Sequence, residues 1–170
     1  MRDKALETMR SYFDEQRFIE HTEKVLAAAE DIAAGEGITG FLHNVVVLSA
    51  VFHDIGIPES LKKYGSLEAQ YQEKEGPAVA RELMEEFGIR PDIRERVCYI
   101  VGNHHTESSI DGIDFRTIWE ADFIVNIEEG NIVVEEDFEN EFGINIKTAT
   151  GRSIGMKRLK YFFRIRSGEK

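Results

Sequence analysis

The feature that most constrains the fold is an apolar run at residues 45–52, which only Ser49 interrupts. With its flanks it predicts an α-helix over about 42–54, which Gly56 and Pro58 then end. A helix that is apolar around most of its circumference is buried on most sides by other elements. The run is far too short to cross a bilayer, which takes about 20 apolar residues.

Glycine and proline divide the rest of the chain into further segments with helical periodicity. We find no repeat and no linker, so the pattern predicts one all-α domain over residues 1–170, a helical bundle of about six to eight helices. Pro77 either kinks the fourth helix or starts a new one, and residues 132–134 form a short strand or a loop. The other predicted helices cover about 4–15, 17–34, 67–87, 91–103, 115–128 and 152–166, the last with an amphipathic pattern at 156–165.

The composition is that of an acidic globular protein, with 42% hydrophobic residues, 31% charged residues and a formal net charge of -11. This charge repels nucleic acid phosphates, which disfavours duplex binding. It also repels small phosphorylated substrates unless a bound cation reverses the local field. Cys98 is the only cysteine, so an internal disulfide is impossible, and no apolar signal segment precedes the first helix. We therefore expect a cytoplasmic protein without a membrane partner.

Charge is unevenly distributed along the chain. Residues 128–141 hold seven acidic and no basic residues, whereas residues 143–170 hold eight basic residues and one acidic residue. We expect the basic last helix to pack near the acidic segment or to be solvated on its outer face. A basic tail that binds nucleic acid or a protein partner is the alternative.

Polar residues interrupt the apolar faces of four predicted helices. His21 lies on the apolar stripe of the second helix, and His53 and Asp54 end the buried third helix. His104 continues the apolar face of the fifth helix, and Asp122 lies in the middle of that of the sixth. A buried ionised carboxylate is costly unless it is paired or bound to a metal, and no basic residue shares the face of Asp122. Imidazole and carboxylate groups together suit Mn, Fe, Co, Ni or Zn, and Mg is a further candidate.

Each of these residues also has an ordinary structural explanation when it is taken alone. A single histidine on a helix face is more often a satisfied core residue than a metal ligand. The His53-Asp54 pair can cap a helix, Asp122 can be an ion-pair partner, and His104-His105 can interact with a helix dipole. The joint order of His, His-Asp, His-His and Asp on successive helices is much harder to explain in this way.

This joint pattern resembles the HD superfamily of metal-dependent phosphohydrolases. The interval from His21 to His53 is 32 residues, and that from Asp54 to Asp122 is 68 residues. A bare His-Asp doublet is a weak signal, but a doublet at the end of a buried helix with these companions is a strong one. The resemblance covers roughly 17–127, through RFIEHT at 17–22, AVFHDIG at 50–56, IVGNHH at 100–105 and WEADF at 119–123, with a weaker match at 148–151.

The resemblance implies metal-assisted hydrolysis of a phosphate ester. His21, His53, Asp54 and Asp122 would bind one divalent metal ion, which lowers the pKa of coordinated water from about 15.7 to about 7. The ion would also offset the charge of the phosphoryl oxygens. Asp54 would position the metal and accept the proton of the water, and His104 is the second catalytic candidate.

The resemblance is less complete for a second metal. In dinuclear members Asp54 would bridge the two ions, and a further histidine on the next helix would complete the second site. Gln72 stands at that position here. We therefore favour a mononuclear site, or a weak second site that uses Asp54, Glu75 and His104, with Glu73 as the other available carboxylate.

Basic residues close to the motifs are candidates to contact the substrate phosphate: Arg17, one turn before His21, Lys62 and Lys63, just beyond the buried helix, and His105. For the two lysines, an exposed polar loop is the more ordinary explanation. The expected partner is a small phosphorylated molecule such as a nucleotide, and no loop carries a signature that names its organic group.

Three other functions fit part of the pattern. Some proteins with this helical arrangement are di-iron oxygenases, although Gln72 speaks against a complete second site. A non-catalytic nucleotide-binding module and a metal-free helical interaction protein are the remaining alternatives. The first helix and the aromatic residues at 161–163 either complete the core or form a homodimer contact.

Overall fold

Helices make up all the regular secondary structure in the described part of the chain. A computed structural model describes the backbone of residues 1–132 and 138–166 and the side chains of residues 1–132 and 142–159. The absence of β-strands from these residues agrees with the all-α prediction, which is confirmed. The helices are α1 (Arg2–Tyr12), α2 (Gln16–Gly35), α3 (Gly40–Phe52), α4 (Ile57–Tyr64), α5 (Ala69–Glu86), α6 (Pro91–Val101), α7 (Ile113–Glu129), α8 (Phe138–Asn145) and α9 (Ala149–Arg166), with a 3₁₀ turn at Glu107–Ser109.

The central helix is α3, which carries the apolar run at 45–52. Every residue of that run is buried. Helix α3 packs against α1, α2, α6 and α7, and α2 packs in turn against α7. This packing follows from an apolar circumference that has to be covered on several sides. It also brings the polar positions of α2, α3, α6 and α7 towards one interior region.

Helix α4 is the clearest addition to the helices predicted from the sequence. Gly56 and Pro58 were expected only to end α3, but Pro58 lies in the first turn of α4. Proline suits this position because the first N–H groups of a helix have no partner within it. Gly65, with a φ of 64°, then ends α4 in the left-handed conformation.

Helix α5 continues past Pro77, so this proline starts no new helix. The preceding Gly76 lies against Gly56, which belongs to the turn directly after α3. A Cβ atom at Gly56 would clash with backbone atoms of Gln72 and Gly76. The missing side chains therefore let α5 approach the end of α3 closely.

The last helix, α9, begins before the predicted boundary. Thr148 precedes it, and its Oγ1 accepts a hydrogen bond of 2.9 Å from the N–H of Gly151, as an N-cap residue does. Arg158 on α9 donates two hydrogen bonds of 2.7 and 2.6 Å to Glu128 at the end of α7. This ion pair agrees with the expected packing of the basic last helix near the acidic segment. The residues of the predicted strand or loop at 133–134 and the side chains at 161–165 lie outside the described residues.

Within the described residues, one helical stretch is long and apolar enough to span a membrane by length and composition alone. It is Gly40–Tyr64, which includes α3 and α4, and an 18-residue window within it has a mean hydropathy of 1.4. Within the fold, 72% of this window is buried. A buried core helix passes the same test, so the stretch is weak evidence for a membrane span.

Candidate metal centre

Three helices bring polar side chains to a common interior position. His21 lies on α2, His53 and Asp54 follow α3 directly, and Asp122 lies in the middle of α7. We call these four residues the His-Asp cluster. The Nε2 atom of His21 lies 3.0 Å from Asp122 Oδ1 and 3.4 Å from His53 Nε2. Asp54 Oδ2 lies 3.7 Å from His21 Nε2 and 3.3 Å from His53 Nε2.

The spacing of the cluster atoms fits a bound divalent metal. Ligand atoms about 2.0–2.2 Å from one ion lie about 3.0–3.5 Å from each other in tetrahedral or octahedral sites. His53 Nε2 also lies 3.8 Å from Asp122 Oδ1. The ligand atoms of His21, His53 and Asp54 all lie within 4.8 Å of one another. The cluster therefore has both the donor types and the geometry that a transition metal requires.

Two histidines have their ring orientation fixed by their own helices. His53 Nδ1 lies 2.8 Å from the carbonyl oxygen of Ala50, and His104 Nδ1 lies 2.8 Å from that of Val101. A carbonyl oxygen can only accept, so each Nδ1 carries the proton that it donates. In the neutral form of each ring, Nε2 is then the nitrogen with a free lone pair. His53 presents that atom to the cluster.

His21 is held between two carboxylates. Its Nδ1 lies 2.8 Å from Glu129 Oε2, and its Nε2 lies 3.0 Å from Asp122 Oδ1. Burial disfavours the charged imidazole, but hydrogen bonding to Asp122 and the charges of Asp54 and Asp122 raise the pKa of His21 to about 9. In the metal-free protein the ring is therefore an imidazolium that donates to both carboxylates.

Both cluster carboxylates are ionised. Burial favours their neutral forms, but His53 and His104 hold the pKa of Asp54 well below its ordinary value. Against the same effect of burial, the hydrogen bond from His21 and the charge of His53 lower the pKa of Asp122. Asn126, one turn after Asp122, donates a further hydrogen bond of 2.8 Å to its Oδ1. The cluster thus presents two negative charges, one buried at Asp54 and one half-buried at Asp122, which a divalent cation can neutralise.

A second group of ligand atoms adjoins the cluster and shares Asp54 with it. Atoms of Asp54, His104 and His105 lie within 4.8 Å of one another. His104 is buried, and its Nε2 lies 3.4 Å from Asp54 Oδ1 but has no hydrogen-bond partner among the described residues. His105 is exposed, and its backbone N–H donates a hydrogen bond of 2.9 Å to Glu73 Oε1. Asp54 therefore lies between two groups of potential ligands.

The model of the HD domain family matches residues 18–140 of the sequence. The chain belongs to the HD domain family. Its fold is similar to the crystal structure of a predicted HD superfamily hydrolase from an uncultured Thermotogales bacterium, with a TM-score of 0.70 and 19% sequence identity over 97% of this chain and 88% of that chain. No protein with a curated description matches the sequence. HD domains bind divalent metals, so the family and the geometry together support a metal-dependent hydrolase family.

Two open cavities of this HD domain flank the cluster. The first has a volume of about 350 Å³ and is lined mostly by polar and charged residues, and the second, of about 270 Å³, is lined by more aromatic residues. Asn126 and Asn131 line both. The first is also lined by Arg17, Phe18, Glu20, His21, Asp54, Leu67 and Glu129, and the second by His104, His105, Trp119, Asp122, Phe123 and Ile132.

Two of the predicted phosphate contacts line these cavities. The side chain of Arg17 is exposed beside the first cavity, where its Nε lies 2.8 Å from Glu15 Oε2. His105 lines the second cavity. Both residues are therefore within the surroundings of the cluster, as expected from the sequence.

The structure does not bring the other predicted residues to the cluster. Lys63 Nζ lies 2.5 Å from Glu75 Oε2, and both residues line a separate cavity with Tyr12. Lys62 is exposed, with its Nζ 3.4 Å from Glu59 Oε1. Helix α4 was not among the predicted helices, and it directs Lys63 towards α5 instead of the metal centre. Glu75 is held there by Lys63, so it is a poor second-metal ligand.

Gln72 and Glu73 also have partners of their own. Gln72 is buried, and its Nε2 donates to the carbonyl oxygen of Leu67 at 2.5 Å. Glu73 accepts hydrogen bonds from the N–H of His105 and from Thr106 Oγ1. Glu73 thus fixes the loop that carries His105.

Two residues of the centre were not predicted from the sequence. Asn126 holds Asp122, and Glu129 holds His21. They follow Asp122 by four and seven residues, so one face of α7 carries all three side chains. This helical spacing is the sequence signal that could have identified both.

Proposed function

We propose that this HD domain is a metal-dependent phosphohydrolase that acts on a small phosphate ester, such as a nucleotide. The observation that carries the proposal is the convergence of His21, His53, Asp54 and Asp122, in which the Nε2 atoms of the two histidines lie 3.0–3.8 Å from carboxylate oxygens of the two aspartates. Among the described residues, no Lys or Arg hydrogen-bonds either aspartate, so protonated histidine offsets the charge of these carboxylates in the metal-free protein and a divalent cation could replace it. Mn, Fe, Co, Ni or Zn suits these ligands, and Mg is a further candidate.

The bound metal would activate water and offset the charge of a phosphoryl group. The residues of the chain then have separate tasks. His53 holds its Nε2 lone pair towards the metal position, because Nδ1 is engaged with Ala50. Asp54 is ionised and can accept a proton. His104 Nε2, close to Asp54 and free of another partner among the described residues, is the second proton-transfer candidate.

The cavities support a small substrate. Their volumes of about 350 and 270 Å³ are near the lower end for small-molecule sites. Trp119 and Phe123 line the second cavity beside Asp122, and aromatic side chains of this kind suit a flat organic group such as a nucleobase. Arg17 lines the first cavity, where a guanidinium can contact phosphate oxygens.

A second metal position is a further part of the proposal. The group of Asp54, His104 and His105 supports it, and His105 replaces Glu75 as the third ligand. Three protein ligands form this position, and one of them, His105, is exposed. We therefore expect it to bind metal more weakly than the His-Asp cluster. Metal titration followed by elemental analysis would then give one tight site and one weak site per chain.

The proposal is tested by substitution of the shared carboxylate. Asp54→Ala removes a ligand from the cluster, so the purified variant should lose both bound metal and phosphate release from a panel of nucleotides and simple phosphate esters with Mn, Co or Ni. Asp31→Ala is the matched control, because Asp31 is exposed on α2 and distant from the motifs in sequence. This control should keep the metal content and activity of the unmodified protein. Undiminished hydrolysis in Asp54→Ala would overturn the proposal.

The same assays separate the alternative functions. Two iron ions per chain with oxygen consumption would assign an oxygenase. Metal and nucleotide binding without turnover would assign a binding module. A protein that binds no metal would be left with a structural or interaction role.

A further inference from the structure

The three buried histidines of the centre differ in what holds their Nδ1 atoms. For His53 and His104 the partner is a backbone carbonyl of the preceding helical turn. For His21 it is a side chain from another helix, the carboxylate of Glu129 at 2.8 Å. The orientation of His21 therefore depends on a residue that can be substituted without changing the backbone.

Glu129 is in an electrostatically unusual position. It is the last residue of α7, where the helix dipole disfavours a negative charge, and the last turn contains no basic residue. Its side chain is only 20% exposed, and its two oxygens are shared between His21 and Lys24 Nζ, which lies 2.7 Å from Oε1. These two contacts compensate the charge and aim one oxygen at the imidazole.

The contact with Glu129 is compatible with metal binding by the same ring. Without a metal, Nε2 of His21 lies 3.0 Å from Asp122 Oδ1, on the opposite side of the ring from the contact with Glu129. A metal at the cluster would bind Nε2, and Nδ1 would keep its hydrogen bond to Glu129. A carboxylate partner at this atom fixes the tautomer and increases the basicity of the ligating nitrogen.

We propose that Glu129 is a positioning residue that orients His21 and strengthens its binding to the metal. This inference rests on the proposed function, because it assumes a divalent ion at the His-Asp cluster. It adds a residue that does not contact the ion itself. It also assigns Lys24 a minor part, since an exposed ion pair contributes little.

The test is a direct titration of metal-free protein with Mn²⁺, followed by calorimetry. Glu129→Gln removes the charge but keeps the size of the side chain, and we expect it to weaken Mn²⁺ binding by about 10- to 100-fold. Glu129→Ala should weaken it at least as much. Glu128→Gln is the matched control, because it breaks the neighbouring contact with Arg158 and leaves His21 untouched. Lys24→Met removes the other contact of Glu129 and leaves the one with His21. The Mn²⁺ affinity should then stay within about threefold of that of the unmodified protein.

A second measurement reports on His21 without metal. Imidazole ¹⁵N spectra of the metal-free protein should show a protected His21 Nδ1–H signal in the unmodified chain and in Glu128→Gln, and its loss in Glu129→Ala. If the unmodified protein binds Mn²⁺ and Glu129→Gln binds it with equal affinity, this inference is overturned and the proposed function is not. Unmodified protein that binds no divalent metal would overturn the proposed function and this inference with it.

Discussion

At the scale of single residues, helix α7 accommodates three acidic side chains in three different ways. Asp114 is buried and accepts two hydrogen bonds from Arg96, at 2.7 and 2.8 Å. Glu120 is fully buried and accepts from two backbone N–H groups and a threonine hydroxyl. Asp122 faces His21 and Asn126. Only the last has partners that can exchange a proton for a metal ion.

The energetic cost of a buried carboxylate indicates that a compensating group is present but does not identify that group. It applies equally to Asp114, Glu120 and Asp122. The partners of the first two are distant in sequence or belong to the backbone, and nothing in the pattern of α7 alone names them. What distinguished Asp122 was its combination with histidines on apolar faces of other helices.

The raised pKa of His21 predicts how stability depends on pH in the metal-free protein. The folded-state pKa is about 9 and the ordinary value is 6.5. The stabilisation is therefore complete below pH 6.5 and is lost as the pH rises through about 9, with a total of about 3 kcal/mol. Urea unfolding of metal-free protein and of His21→Gln between pH 6 and pH 10 measures this contribution as their difference. A difference that stays constant over this range would contradict the assignment of His21 as a buried imidazolium.

At the scale of elements, Glu120 joins α7 to the start of α9. Its Oε1 accepts from the N–H groups of Lys147 and Thr148 at 2.6 and 3.0 Å, and its Oε2 accepts from Thr148 Oγ1 at 2.5 Å. A Cβ at Gly151 would clash with the same carboxylate. The weak resemblance at 148–151 thus has a structural explanation, because this segment encloses a buried charge two residues from Asp122.

Removal of this carboxylate should be strongly destabilising. Glu120→Ala leaves two backbone N–H groups and a hydroxyl without their partner, and we expect a loss of about 3 kcal/mol in the free energy of unfolding. Denaturant unfolding measures the loss. Glu86→Ala, at an exposed position at the end of α5, should change stability by less than about 0.5 kcal/mol. Equal stability of the two variants would show that Glu120 does not join the helices as described.

The elements that the sequence predicts well are those with a long apolar periodicity. Helices α2, α3, α6 and α7 follow from their stripes, and so do the positions of the four cluster residues. Helix α4 was missed because Gly56 and Pro58 mark the end of one helix as well as the start of another. The direction of α4 brings Lys63 to Glu75 of α5, and it depends on the close contact of Gly56 with α5, which no local pattern reveals.

At the scale of the whole molecule, the acidic charge means that a bound metal ion would stabilise the fold as well as take part in catalysis. The formal net charge is -11, and three of the carboxylates that contribute to it, those of Asp54, Asp122 and Glu129, lie in one region of the molecule. Binding of a cation there relieves repulsion in the folded state and is absent from the unfolded chain. Metal and fold should therefore stabilise each other.

Metal removal should consequently lower the thermal stability of the protein. At a free metal concentration 100 times the Kd, binding contributes about 2.7 kcal/mol. For a chain of this size we expect a decrease of about 5 to 10 °C in Tm after treatment with a chelator. Differential scanning calorimetry with and without added Mn²⁺ measures it, and Asp54→Ala should show no such difference. An equal shift in Asp54→Ala would place the stabilising ion outside the cluster.

The most direct measurement of the central claim is the anomalous scattering of Mn²⁺ in crystals of the unmodified protein. We predict a strong peak for a manganese ion that lies about 2.0–2.3 Å from its ligands, which are His21 Nε2, His53 Nε2, Asp54 and Asp122. Crystals of Asp54→Ala grown under the same conditions should lack it. Manganese bound only at acidic surface sites, with the interior cluster free of it, would contradict the account.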